Sequence, residues 1–383
     1  MNFFKILLFI GQGNKTFFEC TVSEQEAYLA SLGTPAGLFD RSYKQYCCHM
    51  FFVPLWKRGL IGMIAALIYP FMLAYLILKG YFYRRICHVN AISDFTSMRE
   101  AIPDSIRGRY NPDSSVWDNA LGLRFADMPI VFSLWIRYIA HPYFVLKVTI
   151  KFALYRALII RYSPEVLIVH NEYSFTSSAL TEYCHRNSIL HINVMHGEKL
   201  YYIRDSFFSF DSCYVWDQHY IELFRSLNAE PNQFVVAIPP SLTIKTQSYI
   251  ADDAYADIKY YLAYNNEEEI ASIVNSLKPF IAAGKTVKYR LHPRYGNKDI
   301  LMKYCSEDEI EDAEQIPIQA SVSNLKYAVG SYSTVLLQAW FSGKTVVLDD
   351  VTFPSIYDKL KSMHYMLAEK PHIRLSKLNM ICK

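Results

Sequence analysis

The sequence predicts an α/β protein of two doubly wound, Rossmann-like domains facing a cleft, and three observations carry that expectation. Short apolar runs alternate with helix-patterned segments through 165–240 and again through 257–350, the rhythm of parallel strands joined by crossover helices. Polar and ionisable residues collect where those runs end, and open parallel sheets bind ligands beyond the carboxyl ends of their strands. The chain has 383 residues, 52% of them hydrophobic and 20% charged. That length suits two domains of ~100–200 residues, and that composition excludes a disordered chain.

Taken in order, the opening FKILLFIG reads as a buried strand rather than a secretory leader, followed by a polar loop at Gly11 to Lys15. A helix then starts at Thr21 or Ser23, where Ser23 stands three residues before Glu26 in a capping-box spacing. Leu60 to Leu78 holds no charge over 19 residues and is flanked by Lys57, Arg58, Lys79, Arg84 and Arg85. As a helix it rises about 28 Å, close to a hydrocarbon core. A span, an interfacial helix and a buried helix kinked at Pro70 are its three readings. Ile130 to Ile160, with Arg137, Lys147, Lys151 and Arg156, reads as a basic amphipathic helix pair suited to an anionic membrane surface.

Beyond Pro164 the strands are expected at EVLIV, LHINV, SCYVW and QFVVA, with helices at SFTSSALTEYCHRN and HYIELFRSL. A polar break at 241–257 separates a second alternation. There IKYYLAY, TVKYRLHP, YAVGS and TVVLDD are strands, and EEEIASIVNSLKPFIAA and TVLLQAWFSG are helices. The division is therefore 1–240, carrying an apolar and basic insertion at about 55–160, and 241–383.

Charge and cysteine usage narrow the function. Lys and Arg number 39 against 36 Asp and Glu, a net charge of +3, which excludes a dedicated nucleic-acid binder. The eight cysteines form no CxxC pair and read as reduced, mostly buried thiols of a cytosolic protein. No DxD triad is present, and no metal site or cofactor is expected.

The chemistry-bearing residues sit at strand ends. His170-Asn171-Glu172, His196-Gly197-Glu198 and Asp217 end strands of the first half, and His292-Pro293-Arg294 ends one in the second. Ser331, Ser333 and Thr334 stand between a strand and a helix, where hydroxyls and helix N–H groups suit a phosphate. Asp349-Asp350 reads as a solvated loop pair before it reads as a ribose or cation ligand.

A His-Pro pair after a strand, followed by a serine-rich strand-to-helix turn, resembles the donor site of bacterial GT-B sialyltransferases and polysialyltransferases. The resemblance implies a GT-B-like fold and a CMP-sugar donor, with His292, Pro293 and Arg294 on the nucleotide and Ser331, Ser333 and Thr334 on its phosphate. Those families carry an acidic D/E-D/E-G base motif that this chain lacks, which leaves Glu198, His196 and Glu172 as candidate general bases. The HG pair, the later HPR and the serine turn are also similar to the CDP-glycerol glycerophosphotransferases, where the HG histidine is the suspected base.

The expectation is an inverting, metal-independent glycosyltransferase of surface polysaccharide synthesis (O-antigen, capsule or lipooligosaccharide). It would move sialic acid from CMP-sialic acid to a glycan or lipid-linked glycan, with acceptor side at 1–240 and donor side at 241–383. The enzyme is expected in the cytoplasm, peripheral at the inner face of the plasma membrane, with 60–78 a possible inserted segment. A CDP-polyol phosphate transferase and a non-catalytic membrane-associated assembly protein are the alternatives.

Overall fold

The computed structural model describes residues 19–244, 255–263, 265–292 and 296–381. The expected first strand and its glycine loop, most of the polar break, and Pro293 and Arg294 lie outside the described residues. The chain divides into two compact units: 1–196 with 201–237, and 197–200 with 238–383. The short Gly197–Leu200 segment thus belongs with the second unit.

The first unit holds one parallel five-stranded sheet in the order β1-β2-β3-β4-β5. These are Ala91–Ser93, Val166–Val169, Leu190–Val194, Ser212–Val215 and Phe234–Val236. β2 is buried at every position, which is why it reads as an unbroken apolar run instead of an alternating one. Registers such as Ile168↔Ile192 and Asn193↔Cys213 bring the carboxyl ends of β2, β3 and β4 to one edge. Helices Ser177–Arg186 and Gln218–Ser226 are the crossovers after β2 and β4.

Three findings revise the expectations for this unit. The helix Val22–Ser31 is capped by Thr21, whose side chain accepts from Glu24 N while Glu24 reaches back to Thr21 N at 2.8 Å. Ser23 therefore lies inside the first turn. The helix Pro142–Tyr162 buries most of its residues within the first unit. Arg156 clamps the buried carboxylate of Asp127 at 2.8 Å, and burial lowers the pKa of both Lys147 and Lys151. The apolar segment forms a continuous helix, Leu55–Phe82, that runs through Pro70. Only Ile61, Ala65, Leu76 and Gly80 of it are buried, so it is not a core helix.

The second unit holds a parallel six-stranded sheet in the order β11-β10-β9-β6-β7-β8. Its strands are β6 Ala256–Tyr261, β7 Val287–Arg290, β8 Ile310–Glu311, β9 Leu325–Gly330, β10 Thr345–Leu348 and β11 Ile373–Arg374. Counted from β6 this is the 3-2-1-4-5-6 order of dinucleotide-binding domains. The helix Glu267–Ala282 follows β6, opened by an Asn266–Glu269 capping box and three glutamates in its first turn. Its buried stripe of Ile270, Ile273, Val274, Leu277 and Phe280 meets Ile258, Tyr260 and Tyr289 in one core. Two tandem Rossmann-like α/β units, the expected fold class, are thus present.

Asp349 and Asp350 do not form a solvated loop pair. Asp349 is buried, takes the Tyr260 hydroxyl at 2.7 Å and accepts from Val351 N and Thr352 N. Asp350 holds the backbone N and hydroxyl of Ser376. Four of the seven described cysteines are buried, whereas Cys87 is exposed.

Candidate functional site

In the second unit the chain order reverses between β6 and β9: β7 and β8 extend to one side, β9 to β11 to the other. Loops leaving β6 and β9 part at that point and leave a crevice beyond the strand ends. A cavity of about 540 Å³ occupies it, within the range of small-ligand sites. Its walls are Tyr261 to Ala263 after β6, Arg290 to His292 after β7, and Tyr332 to Val335 after β9, with Glu198 and Ile318.

The β9 turn opens a helix N-terminus beside the cavity. Ser333 is extended, with φ −160° and ψ 141°, and caps the helix Thr334–Phe341 by accepting from Val335 N at 3.3 Å. Leu336 N bonds the Ser333 carbonyl at 3.1 Å, and Ser333, Thr334 and Val335 at this helix start line the cavity. Gly330 ends β9 where an added Cβ would stand 3.2 Å from the Tyr261 carbonyl oxygen, so a side chain there would press the two diverging strands apart. Tyr332 packs edge-on against Tyr365 at 5.4 Å. Burial first, and the neighbouring Glu198 carboxylate second, push the Tyr332 pKa upward, so its hydroxyl keeps its proton and remains a hydrogen-bond donor.

The opposite wall is held by buried charge. Arg290, at the end of β7, donates to Glu311 Oε1 at 2.6 Å and to the Ile316 carbonyl at 2.8 Å. Lys259 of β6 pairs with the other oxygen of Glu311 and donates to the Ser321 carbonyl at 3.1 Å. Lys259, Glu311 and Arg290 are 0%, 5% and 6% exposed. This triad fixes the arginine at the cavity wall. Of the residues expected on the donor side, the structure brings together His292, Ser333 and Thr334 with Glu198; Ser331 is half-buried and not in the lining.

The first unit has its own cluster, at the carboxyl ends of β1 to β3. Asp94 follows β1 and meets His170 Nδ1 at 2.8 Å with one carboxylate oxygen. Its other oxygen takes the Asn171 side-chain amide at 3.3 Å. The His170 and His196 rings lie 5.7 Å apart, and Phe95 packs 4.8 Å from His170. The contact with Asp94 at Nδ1 fixes the orientation of the His170 ring at this strand end. Glu172 is fully buried and takes the Asn193 side-chain amide at 3.0 Å on Oε2.

Asp94, Arg290, Tyr261 and Glu311 were not among the residues singled out by motif. Asp94 follows a strand of three residues, too short for a period-2 signal. Arg290 lies inside the YRLHPR run, but the partner that orients it is 21 residues away.

No protein-family model matches the chain, nor does any curated protein sequence. Among solved structures, the wall teichoic acid polymerase TagF is similar at 10% identity and TM-score 0.38, over 60% of this chain and 65% of that one. A kitacinnamycin glycotransferase is similar at 11% identity and TM-score 0.44, over 76% and 89%. The calicheamicin glycosyltransferase CalG4 is similar at 9% identity and TM-score 0.39, over 74% and 82%. The chain thus spans just under two thirds of the length of TagF. Similarities at this level assign no chemistry to this chain.

Proposed function

We propose that this chain is a glycosyltransferase of surface-polysaccharide synthesis with a GT-B-like fold, whose second unit binds a cytidine-nucleotide donor. The observation that supports it is the switch-point cavity, where His292 and the Ser333–Thr334 helix start stand on strand ends flanking β6. The helix N-terminus receives the donor phosphate, and His292 with Pro293 meets the nucleotide. The acceptor is a glycan or lipid-linked glycan presented at the cytoplasmic membrane surface.

For a sialyl donor, an acceptor hydroxyl oxygen attacks the anomeric carbon while that carbon's bond to the phosphate oxygen breaks. CMP departs with the bond pair, and a base takes the hydroxyl proton. Positive charge and N–H groups around the phosphate stabilise the departing anion. A second reading, polyol-phosphate transfer from a CDP-polyol, is favoured by the Asp94–His170–His196 cluster. It puts histidine, rather than an exposed acidic pair, at the acceptor-side strand ends.

A thermal-shift panel with CMP, CDP, UMP, UDP and GDP tests the donor. Selective stabilisation by CMP or CDP, lost in His292→Ala, is expected. Stabilisation by UDP or GDP alone would overturn the cytidine assignment. Turnover of CMP-sialic acid against CDP-glycerol then separates the two readings.

A further inference from the structure

The donor cavity leaves one large surface feature unused, and it lies wholly in the first unit. Helix Leu55–Phe82 is about 42 Å long at 1.5 Å per residue. Among the described residues it touches protein along one face only. Ile61, Ala65, Leu76 and Gly80 are buried, and the Tyr69 hydroxyl reaches Thr149 Oγ1 at 3.4 Å. Leu123 N donates to the Leu76 carbonyl at 2.8 Å. Its other faces expose Leu55, Met63, Leu67, Phe71 and Leu78, with Phe71 at 77%. Beside it, helix Met128–Arg137 buries Ile130, Val131 and Leu134 and exposes Phe132 and Ile136. Phe132 and Trp135 stack at 6.0 Å. Between the two helices runs an apolar groove of about 560 Å³, lined by Ala66, Pro70, Leu73, Val131, Phe132 and Trp135 among others.

An exposed apolar surface of this extent marks an interaction site. Its charge identifies the partner. No aspartate or glutamate occurs between residues 55 and 89 or between 128 and 162. Lys79, Arg84, Arg85, Arg124 and Arg137 are exposed at the ends of the two helices and beside them. A twofold dimer through this face would oppose the same cations with no acid to pair them. A bilayer span would expose every face of the helix to lipid and strip off the contacts made by Ile61, Ala65, Leu76 and Gly80.

We propose that these two helices dock side by side, lying in the plane of an anionic lipid bilayer, and that the groove between them seats one lipid hydrocarbon chain. The cations flank the apolar face, as in interfacial helices that meet acidic headgroups. The inference goes beyond the donor assignment and holds whichever group the enzyme transfers.

The test is sedimentation of the full chain with vesicles of phosphatidylcholine alone and of equimolar phosphatidylcholine and phosphatidylglycerol. Binding to the anionic vesicles, weakened by high salt and released by alkaline carbonate, is expected. Phe71→Glu with Phe132→Glu should lower it at least tenfold, while the nucleotide thermal shift and circular dichroism stay as in the parent chain. Phosphatidylcholine brominated along its acyl chains should quench the part of the fluorescence that Trp135→Phe removes. Equal binding to both vesicle types, or no binding, would overturn the proposal. So would resistance to carbonate, which indicates a span. A dimer that dissociates in the Phe71→Glu/Phe132→Glu variant would assign the face to a second copy instead. Absence of Trp135 quenching would remove the lipid chain from the groove.

Discussion

Replacing Glu311 by alanine should cost more stability than any single change to its partners, because of how charge is distributed in the triad. Lys259 and Arg290 share one carboxylate, and all three side chains are at least nine-tenths buried. Without Glu311, two cations remain in a low-dielectric interior with only carbonyl oxygens to satisfy them. Breaking a buried pair by removing one partner costs about 3–5 kcal/mol. For a unit of this size that corresponds to a fall in Tm of roughly 6–20 °C. Lys259→Met should cost less than half as much. It leaves the Arg290–Glu311 pair intact and balanced, and its unbranched apolar chain occupies the lysine's path. Calorimetric or circular-dichroism melts of the two variants beside the parent chain measure both effects. Equal shifts for the two, or a Glu311→Ala shift below about 2 °C, would refute the claim that the carboxylate compensates the cations. They would also remove the triad as the reason Arg290 stays at the cavity wall.

Two further outcomes follow from the first unit. His191 is fully buried between the Tyr155 hydroxyl at 2.9 Å and Thr181 Oγ1 at 2.8 Å, and desolvation lowers its pKa to about 3. Between about pH 3 and 6.5 the unfolded chain therefore binds the extra proton. The stabilisation is complete above 6.5 and is lost as pH falls, by up to ~1.4 kcal/mol per pH unit. Melts at pH 7 and pH 5 should show a smaller acid penalty in His191→Gln than in the parent, and an identical penalty would assign the acid sensitivity elsewhere. Asp94→Asn should lower kcat by about 10²-fold or more, with nucleotide stabilisation unchanged. An unaltered kcat would remove the Asp94–His170 pair from the reaction.

The sequence made the apolar-run strands legible, including the three-residue β5 at QFVVA, and left the shortest others invisible. β2 and β10 are runs of four residues, apolar but for Thr345, and β3 and β9 are mostly apolar runs of five and six, interrupted by His191, Asn193 and Lys326. β1, β8 and β11 have three, two and two residues, and their neighbours in the sheet define them more than their composition does. The same limit governs side chains. A cation on an apolar helix looks membrane-facing until its partner is known, and Arg156 is turned inward by Asp127, 29 residues away. Asp349 reads as a loop residue because its partner, Tyr260, lies on a strand 89 residues earlier. At the first helix, Thr21–Glu24 and Ser23–Glu26 have the same capping spacing; the extended backbone of Thr21 decides between them.

The motifs of the second unit were visible for a different reason: the topology needs them at fixed places. His292 and Ser333 are 41 residues apart in the chain, yet they follow β7 and β9, which both pair with β6. Two strands on either side of a third stand roughly 9–10 Å apart. That span is too wide for both groups to hold one phosphate. The helix start after β9 and the histidine after β7 therefore line different parts of the cavity. The glycine that ends β9 keeps the intervening strand ends close enough for one ligand to bridge them. A ligand carrying only the phosphate should accordingly bind through the Ser333 turn and leave His292 untouched, whereas a nucleotide engages both.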